Sequence, residues 1–351
     1  MKKVLFLLAA TSVAVSVQAN FMPDAEAAAY LKTLAEKGKN YQRRTDKTYF
    51  FSRAQLKYGL HRNDYLRRWC DRPLMQETGL AKGGTFAVTH SGKYDEKGFI
   101  NPCTYELESK LLEKFNFTGF AFFPETFGRM NIFDHVGRPG TGNIRLLTEF
   151  RFSASRAVFK PETTRRMECA ARALANPYVF RLKDKVVITS YPGADERGLK
   201  YWQDVKADFQ AQFGDKFLFM PWMSLDGNMR PSGKNKTWSK NDIIKMEERL
   251  RQYLRVLDGF YYNAPPFLDR RYQWEFDREV AIPIIHAVMS EPEFKDKYLA
   301  WGTKVGHMNC HVQTYGIDAF NTDTLRGTVG AAVLAARTKM PIIACVGKVV
   351  R

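Results

Sequence analysis

VVITSYPGADERGLKYWQDVKADFQAQFGDKFLFMPW, residues 186–222, is the stretch of sequence that decides the fold. It opens with an apolar, β-branched run at 186–191 and closes with an aromatic and aliphatic run at 217–222. Between them, residues 199–213 place apolar side chains at helical spacing. A strand, a helix and a second strand in this order indicate a βαβ unit and therefore a parallel sheet.

The same alternation continues on both sides of this stretch. The sequence predicts strands at 85–90, 119–124, 146–152, 186–191, 217–222, 258–263, 298–302 and 341–346. Helices are predicted at 104–115, 161–175, 199–213, 241–256, 271–289 and 323–338. Repeated βα units close most often into a barrel of eight strands. An open doubly wound sheet is the alternative, but no GxGxxG follows the first strand. We therefore predict an α/β fold of the (β/α)8 TIM-barrel type.

The first 19 residues have the pattern of a secretory signal peptide. Lys2 and Lys3 precede an apolar run at 4–17, and Val17 and Ala19 occupy the −3 and −1 positions of a cleavage site after Ala19. The run is shorter than the roughly 20 residues of a membrane-spanning helix. We expect a protein exported to the periplasm or beyond, without a transmembrane segment.

Two further segments follow the leader. Residues 20–83 are predicted to form a basic, helical N-terminal extension, in which Asp24 caps a helix at 25–37 and residues 49–69 have a second helical pattern. Residues 84–351 are predicted to form the barrel. The formal net charge of the chain is +17, which favours anionic partners such as an acidic cell-surface polymer. No nucleic-acid-binding motif accompanies this charge, so a solvated basic face is the favoured interpretation and no nucleic-acid partner is predicted.

Metal and nucleophile signals are weak. The five cysteines are odd in number and lack CxxC spacing, so no disulfide is assigned. On a helix, His307, Cys310 and His311 could converge on a metal, but no second ligand cluster lies nearby. A polar loop lining is the favoured interpretation, and neither metal nor cofactor is predicted. The chain has no GxSxG and no P-loop.

In a barrel, chemistry lies at the carboxyl ends of the strands. Two carboxylates at such ends, Glu125 and Asp226, are the candidate catalytic acids, although Glu125 could form a loop salt bridge and Asp226 begins a turn-forming Asp-Gly-Asn sequence. Asp258 begins its strand and is expected at the barrel bottom. The candidate substrate-binding residues, whose rings and amides suit sugars, are His90, Tyr191, Trp222, Asn228, Tyr261, Tyr262 and His307.

Several segments in this order resemble a known family. They are NFTGFAFFPE at 116–125, NPYVFRLKDKVVITSYPGADERGLKYWQDVKADF at 176–209, KFLFMPWMS at 216–224, VLDGFYYNAPP at 256–266 and NTDTLRGTVGAAVLAARTKMPIIACV at 321–346. Over residues 84–346 the chain resembles glycoside hydrolase family 71, the endo-acting α-1,3-glucanases, to which the mannan-cleaving family 99 is structurally related. The resemblance implies a sugar-binding barrel that uses two carboxylates and no metal.

One element of that family is missing from this chain. The family's eighth strand leads into an Asn-Asp/Glu-x-x-Glu motif that supplies the catalytic acids, whereas residues 344–349 here read ACVGKV. We therefore expect an incomplete eighth βα unit, with the catalytic acids either beyond the recorded chain or replaced by a pair such as Glu125 and Asp226.

Three functional hypotheses follow. The first is an exported glycoside hydrolase acting on an α-glucan or related polysaccharide by carboxylate acid–base hydrolysis. The second is a non-catalytic polysaccharide-binding barrel of the cell envelope, whose basic surface binds an anionic polymer. The third, a metal-dependent hydrolase, would use His307 and His311.

Overall fold

A computed structural model describes residues 22–42, 49–53, 109–110, 112–114, 116–122, 133, 137, 142–151, 159–191, 194, 197–225, 237–262, 273–302, 331 and 334–335. The strands are β1 Phe51–Arg53, β2 Gly119–Phe122, β3 Arg145–Arg151, β4 Arg181–Leu182, β5 Lys185–Tyr191, β6 Phe217–Phe219, β7 Trp222–Met223, β8 Gly259–Tyr262 and β9 Tyr298–Trp301. The helices are α1 Ala25–Lys37, α2 Phe159–Ala175, α3 Leu199–Phe213, α4 Lys240–Val256, α5 Gln273–Phe276 and α6 Ile282–Met289. A 3-10 turn at Gly38–Asn40 follows α1, and a π-helical turn at Asp277–Ala281 joins α5 to α6.

The mixed α/β class is confirmed, and most predicted elements lie within a few residues of their expected positions. The helix predicted at 199–213 has those bounds, and the one predicted at 241–256 begins one residue earlier. Asp24 caps α1 as predicted, because its side chain accepts a hydrogen bond of 2.8 Å from the backbone N–H of Ala27. The predicted strands at 85–90 and 341–346 lie outside the described residues.

The parallel strands follow one another across the sheet in the order in which they occur in the chain. β1 pairs with β2, β2 with β3, β3 with β5 and β5 with β6, and a second ladder joins β7, β8 and β9; all of these pairs are parallel. A doubly wound sheet reverses its strand order, and the described strands do not. No described strand joins β9 back to β1.

Residues 217–223 connect the two ladders. Met220 donates to Ile188 of β5, at 2.8 Å. On the other side, Pro221 accepts a 3.0 Å hydrogen bond from Tyr261, and Phe219 accepts one of 3.1 Å from Asp258. β6 and β7 are thus two halves of one strand position that links β5 to β8.

The sheet is buried on both faces by two different sets of side chains. One face carries the alternate residues Leu146 and Phe150 of β3 and packs against the helices, in a core that includes Trp202 of α3 and Leu250 of α4. The other, which we call the inner face, packs side chains from strands and their adjacent residues in the described part of the chain. Its buried members are Phe51, Ala121, Leu147, Phe180, Leu182, Val187, Leu218, Met220, Tyr261, Tyr298 and Ala300.

Two strands were not predicted from the sequence. β1 lies where a helix was predicted at 49–69; its Phe51 is fully buried in the inner face, and this tertiary contact outweighs the local helical pattern. β4 pairs antiparallel with the start of β5 through a two-residue turn at Lys183 and Asp184, both with positive φ. The residues before β4 also bond to β3, since Phe180 donates to Leu146, so this hairpin fills the gap between β3 and β5.

Glycines begin two of the strands at points of close backbone approach. A Cβ on Gly119 would lie 1.7 Å from the carbonyl oxygen of Arg145, and one on Gly259 would lie 2.2 Å from that of Tyr298. In each case the oxygen belongs to the first residue of the next parallel strand. A side chain at either position would therefore force adjacent strands apart.

Helix α1 packs against the outer helices α4 and α6 rather than standing apart from them. Ala27, Leu31 and Leu34 of α1 are buried in the helix-side core. The Tyr30 hydroxyl donates 2.5 Å to the buried Glu247 carboxylate of α4, which also accepts 2.9 Å from Arg251. Burial and this hydrogen bond raise the pKa of Tyr30 to about 12.

Candidate functional site

The carboxyl edge of the parallel sheet is the first candidate site. Successive side chains of a strand point to opposite faces, so Glu149 shares the inner face with Leu147. It comes two residues before the carboxyl end of β3 and is only 3% exposed. A buried glutamate requires polar partners and is rarely kept for packing alone. Glu149 is therefore the described carboxylate best placed for chemistry.

Glu149 was not among the predicted site residues. A signal was present in the sequence, because Glu149 is the one carboxylate inside the run LLTEFRF that was predicted as a strand at 146–152. The structure buries all of residues 146–150. Its register partner on β5 is Thr189, which is 2% exposed and donates 3.3 Å to the backbone oxygen of Thr148. The two polar side chains thus occupy adjacent inner-face positions.

Two of the predicted aromatic residues are brought together by the structure. Trp222 of β7 and Tyr261 of β8 are register partners and both pack in the inner face. Trp222 is half-buried, whereas Tyr261 is 5% exposed. The next partner along this row is the small Ala300 of β9. A half-buried indole at the carboxyl end of a parallel strand is suited to stacking against the apolar face of a sugar ring.

Tyr262 is placed away from this pair. As the next residue on the strand, it points to the helix side, where it is fully buried. Its hydroxyl donates 2.7 Å to the Asp277 carboxylate in the π-helical turn, and its ring lies 4.3 Å from that of Trp301. Strand alternation allows only one of two adjacent tyrosines on the inner face, and the packing of the sheet selects Tyr261.

The structure does not describe the side chains of the remaining predicted site residues. Tyr191 ends β5 in register with Arg151, and its side chain lies outside the described part. The other predicted residues outside the described ranges are Glu125, Asp226, His90, Asn228 and His307, together with Cys310 and His311.

Asp258 lies at the amino edge of the sheet, as expected for the residue that begins its strand. Its carboxylate accepts 2.9 Å hydrogen bonds from the Lys206 ammonium and from the backbone N–H of Phe219. Nearby, burial lowers the pKa of Lys297, which donates 2.7 Å to the Leu257 carbonyl. The Asp258 carboxylate and the Lys297 ammonium thus bond to groups of the fold itself. The bond from Phe219 to Asp258 ties β6 to β8.

A cavity of about 610 Å³ also opens at the amino edge. Its walls are residues that precede β1, β2, β3 and β4, the first residues of β3 and β4, and Glu113. It therefore lies at the opposite edge of the sheet from Glu149 and Trp222. The cavity is lined by aromatic rings, amides and two guanidinium groups.

Within the described ranges, no group of three or more His, Cys, Asp or Glu side chains could hold a metal ion. The helices in this part of the chain are likewise too short or too polar to cross a bilayer. No protein-family model and no curated protein sequence matches the chain. The resemblance to glycoside hydrolase family 71 therefore stays a prediction.

Proposed function

We propose that this protein is an exported, glycoside hydrolase-like (β/α)8 barrel that holds an α-glucan or related polysaccharide at the carboxyl edge of its sheet. The observation that supports this most directly is the placement of Glu149, Trp222 and Tyr261 on one inner face, near the carboxyl ends of parallel strands. A carboxylate and aromatic rings on the same face of a sheet are the groups that glycosidic-bond hydrolysis uses.

Closure into a barrel is part of this proposal. The inner face contains residues from both edge strands, Phe51 of β1 and Ala300 of β9, in one apolar cluster, as a closed barrel requires. β1 occupies the place beside β2 that was predicted for residues 85–90. A parallel strand at 341–346 between β9 and β1 would then complete eight strand positions.

Hydrolysis needs a second carboxylate. The two carboxyl groups of a glycosidase lie about 5–5.5 Å apart in retaining enzymes and about 6.5–9.5 Å apart in inverting ones. Glu149 provides one of them in our proposal. Glu125 follows β2 in the chain and Asp226 follows β7, so this proposal expects both at the carboxyl edge. Either could complete the pair.

Reducing-end release tests the enzymatic proposal. The purified protein without its leader is incubated with α-1,3-glucan and separately with α-mannan, and new reducing ends are counted over time. We expect release from one of these polymers, abolished in Glu149→Gln but retained in Glu293→Gln, a solvent-exposed control that pairs with Arg255 on the helix side. No release from either polymer would exclude the hydrolase.

The second candidate function is a non-catalytic polysaccharide-binding barrel of the cell envelope. The net charge of +17 favours it, because such a charge draws anionic polymers to the surface. Saturable, salt-sensitive binding of a polysaccharide without any turnover would support this function over the first.

A further inference from the structure

The amino-edge cavity has the features of a binding site. Its volume of about 610 Å³ lies within the range of roughly 300–1,000 Å³ that is typical of small-molecule sites. Aromatic side chains line part of it, namely Tyr49, Phe117 and Phe180. Amide and charged groups line the rest, namely Asn116, Asn143, Glu113, Arg145 and Arg181.

Backbone structure holds the polar rim in place. The helical segment that contains Leu112 ends in a Schellman motif: Phe117 donates 2.9 Å to the Leu112 carbonyl, Asn116 donates 3.0 Å to that of Glu113, and Asn116 has a φ of 56°. The backbone N–H of Asn143 donates 3.4 Å to the Glu113 carboxylate, which also lies against Gly142. Asn116 is thus held by the Glu113 backbone carbonyl and Asn143 by the Glu113 carboxylate.

Arg145 brings positive charge into the cavity wall without carboxylate compensation. Its Nη1 donates 3.2 Å to the Pro177 carbonyl, and its guanidinium carbon lies 5.2 Å from the centroid of the Tyr178 ring. Arg181 donates 2.7 Å to the Leu174 carbonyl at the end of α2. Within the described part of the chain, neither guanidinium forms an ion pair with a carboxylate. The positive charge of both groups is therefore available to attract an anion.

We infer that this cavity is a second carbohydrate site that binds an acidic sugar unit of the uronic acid type. Arg145 has N–H donors beyond the one used by Pro177, and a guanidinium fork matches the two oxygens of a carboxylate. Glu113, Asn116 and Asn143 offer acceptors and donors to the sugar hydroxyls. Tyr49 and Phe117, both half-buried, present apolar surface to the pyranose ring.

The ligand class follows from this mixture of groups. A simple anion such as phosphate would use the guanidinium groups but leave the aromatic wall and the Glu113 carboxylate without a role. A neutral sugar would use the rings and amides but leave the arginine charge uncompensated. A sugar acid uses the rings and amides through its ring and hydroxyl groups, and the guanidinium groups through its carboxylate. This site lies at the opposite edge of the sheet from the proposed polysaccharide site and does not depend on catalysis there.

Binding of a galacturonic acid trimer tests the inference. Calorimetric titration of the full-length mature protein should show saturable binding, and a neutral glucose trimer should bind at least 10-fold more weakly. Arg145→Gln should weaken galacturonate binding at least 10-fold, and Arg145→Lys, which retains the charge but loses the fork, should be intermediate. Arg255→Gln removes an exposed arginine on the helix side and should leave the affinity unchanged.

Several outcomes would overturn the inference. They are the absence of saturable binding, an equal loss in Arg255→Gln, and inorganic phosphate competing as strongly as the trimer, which would reveal a general anion site. Thermal melting of each variant identifies misfolding. If Arg145→Gln is misfolded, the titration of Arg145→Lys tests the role of Arg145 instead. Trp222→Ala, which alters the carboxyl edge, should bind galacturonate normally, so failure of the two sites can be told apart.

Discussion

Glu149 of β3 and Thr189 of β5 are register partners on the inner face of the sheet, and their side chains are 3% and 2% exposed. Two polar side chains are thus kept side by side where the remaining buried residues are almost all apolar. Because both come near the carboxyl ends of parallel strands, their position agrees with a reaction centre at that edge.

Replacing Glu149 tests whether its carboxylate takes part in hydrolysis. Glu149→Gln retains the shape of the side chain but cannot exchange a proton, so we expect the rate of reducing-end release to fall by about 100-fold or more. Initial rates and the melting temperature should be measured on the same preparation. A folded variant with an unchanged rate would contradict a catalytic role.

Trp222 and Tyr262 form a matched pair for testing the aromatic surface. Trp222→Ala removes the half-buried ring of the carboxyl edge, and we expect polysaccharide affinity to fall by about 10-fold, or roughly 1.4 kcal/mol. Tyr262→Phe alters only the helix side; it should leave affinity unchanged but lower the free energy of unfolding by about 1–3 kcal/mol, because the buried Asp277 loses a donor. Equal binding losses in both variants would refute the assignment.

Alkaline pH should destabilise the contact between α1 and α4 through Tyr30. Its pKa is raised from 10.0 to about 12 by burial and by the hydrogen bond to Glu247. The contribution of this hydrogen bond is therefore fully present below pH 10 and is lost as the pH rises through about 12. Tyr30→Phe should lack this component. Urea unfolding of both proteins between these pH values should show a steeper loss of stability in the wild type, and parallel curves would disprove the coupling.

Gly119 tests the close approach of β2 to β3. Gly119→Ala places a Cβ against the Arg145 carbonyl, and we expect a loss of unfolding free energy above about 4 kcal/mol, or no folded protein at all. Gly214→Ala is the control, because its positive φ of 67° is strained for alanine but its Cβ would meet open space. That variant should lose only about 1–3 kcal/mol. The reverse order in a denaturant titration would contradict the packing described.

Much of the architecture could be predicted because it is written in local patterns. The period of apolar residues identified α3 and α4, Asp24 marked the start of α1, and the β-branched run at 186–191 identified β5. The same rules placed Trp222 at the carboxyl end of a strand. These features depend on residues within one or two turns of each other, so no knowledge of distant contacts is needed.

Other features could not be predicted because they depend on contacts between distant residues. β1 exists because Phe51 is buried against residues from other strands, although its own neighbours have a helical pattern. The amino-edge cavity is assembled from four segments that precede four different strands. Glu149 could have been noticed as the one carboxylate in the predicted strand at 146–152, but its inner-face position depends on how the sheet packs.

The sequence by itself thus determined the alternation of strands and helices, and with it a parallel α/β fold whose carboxyl edge is the natural place for chemistry. Only the tertiary structure decided which face of each strand points inward. It selected Tyr261 over Tyr262 and brought Glu149 beside Thr189. The physical reason is that hydrophobic periodicity is encoded locally, whereas register and facing are set by which surfaces the folded sheet buries.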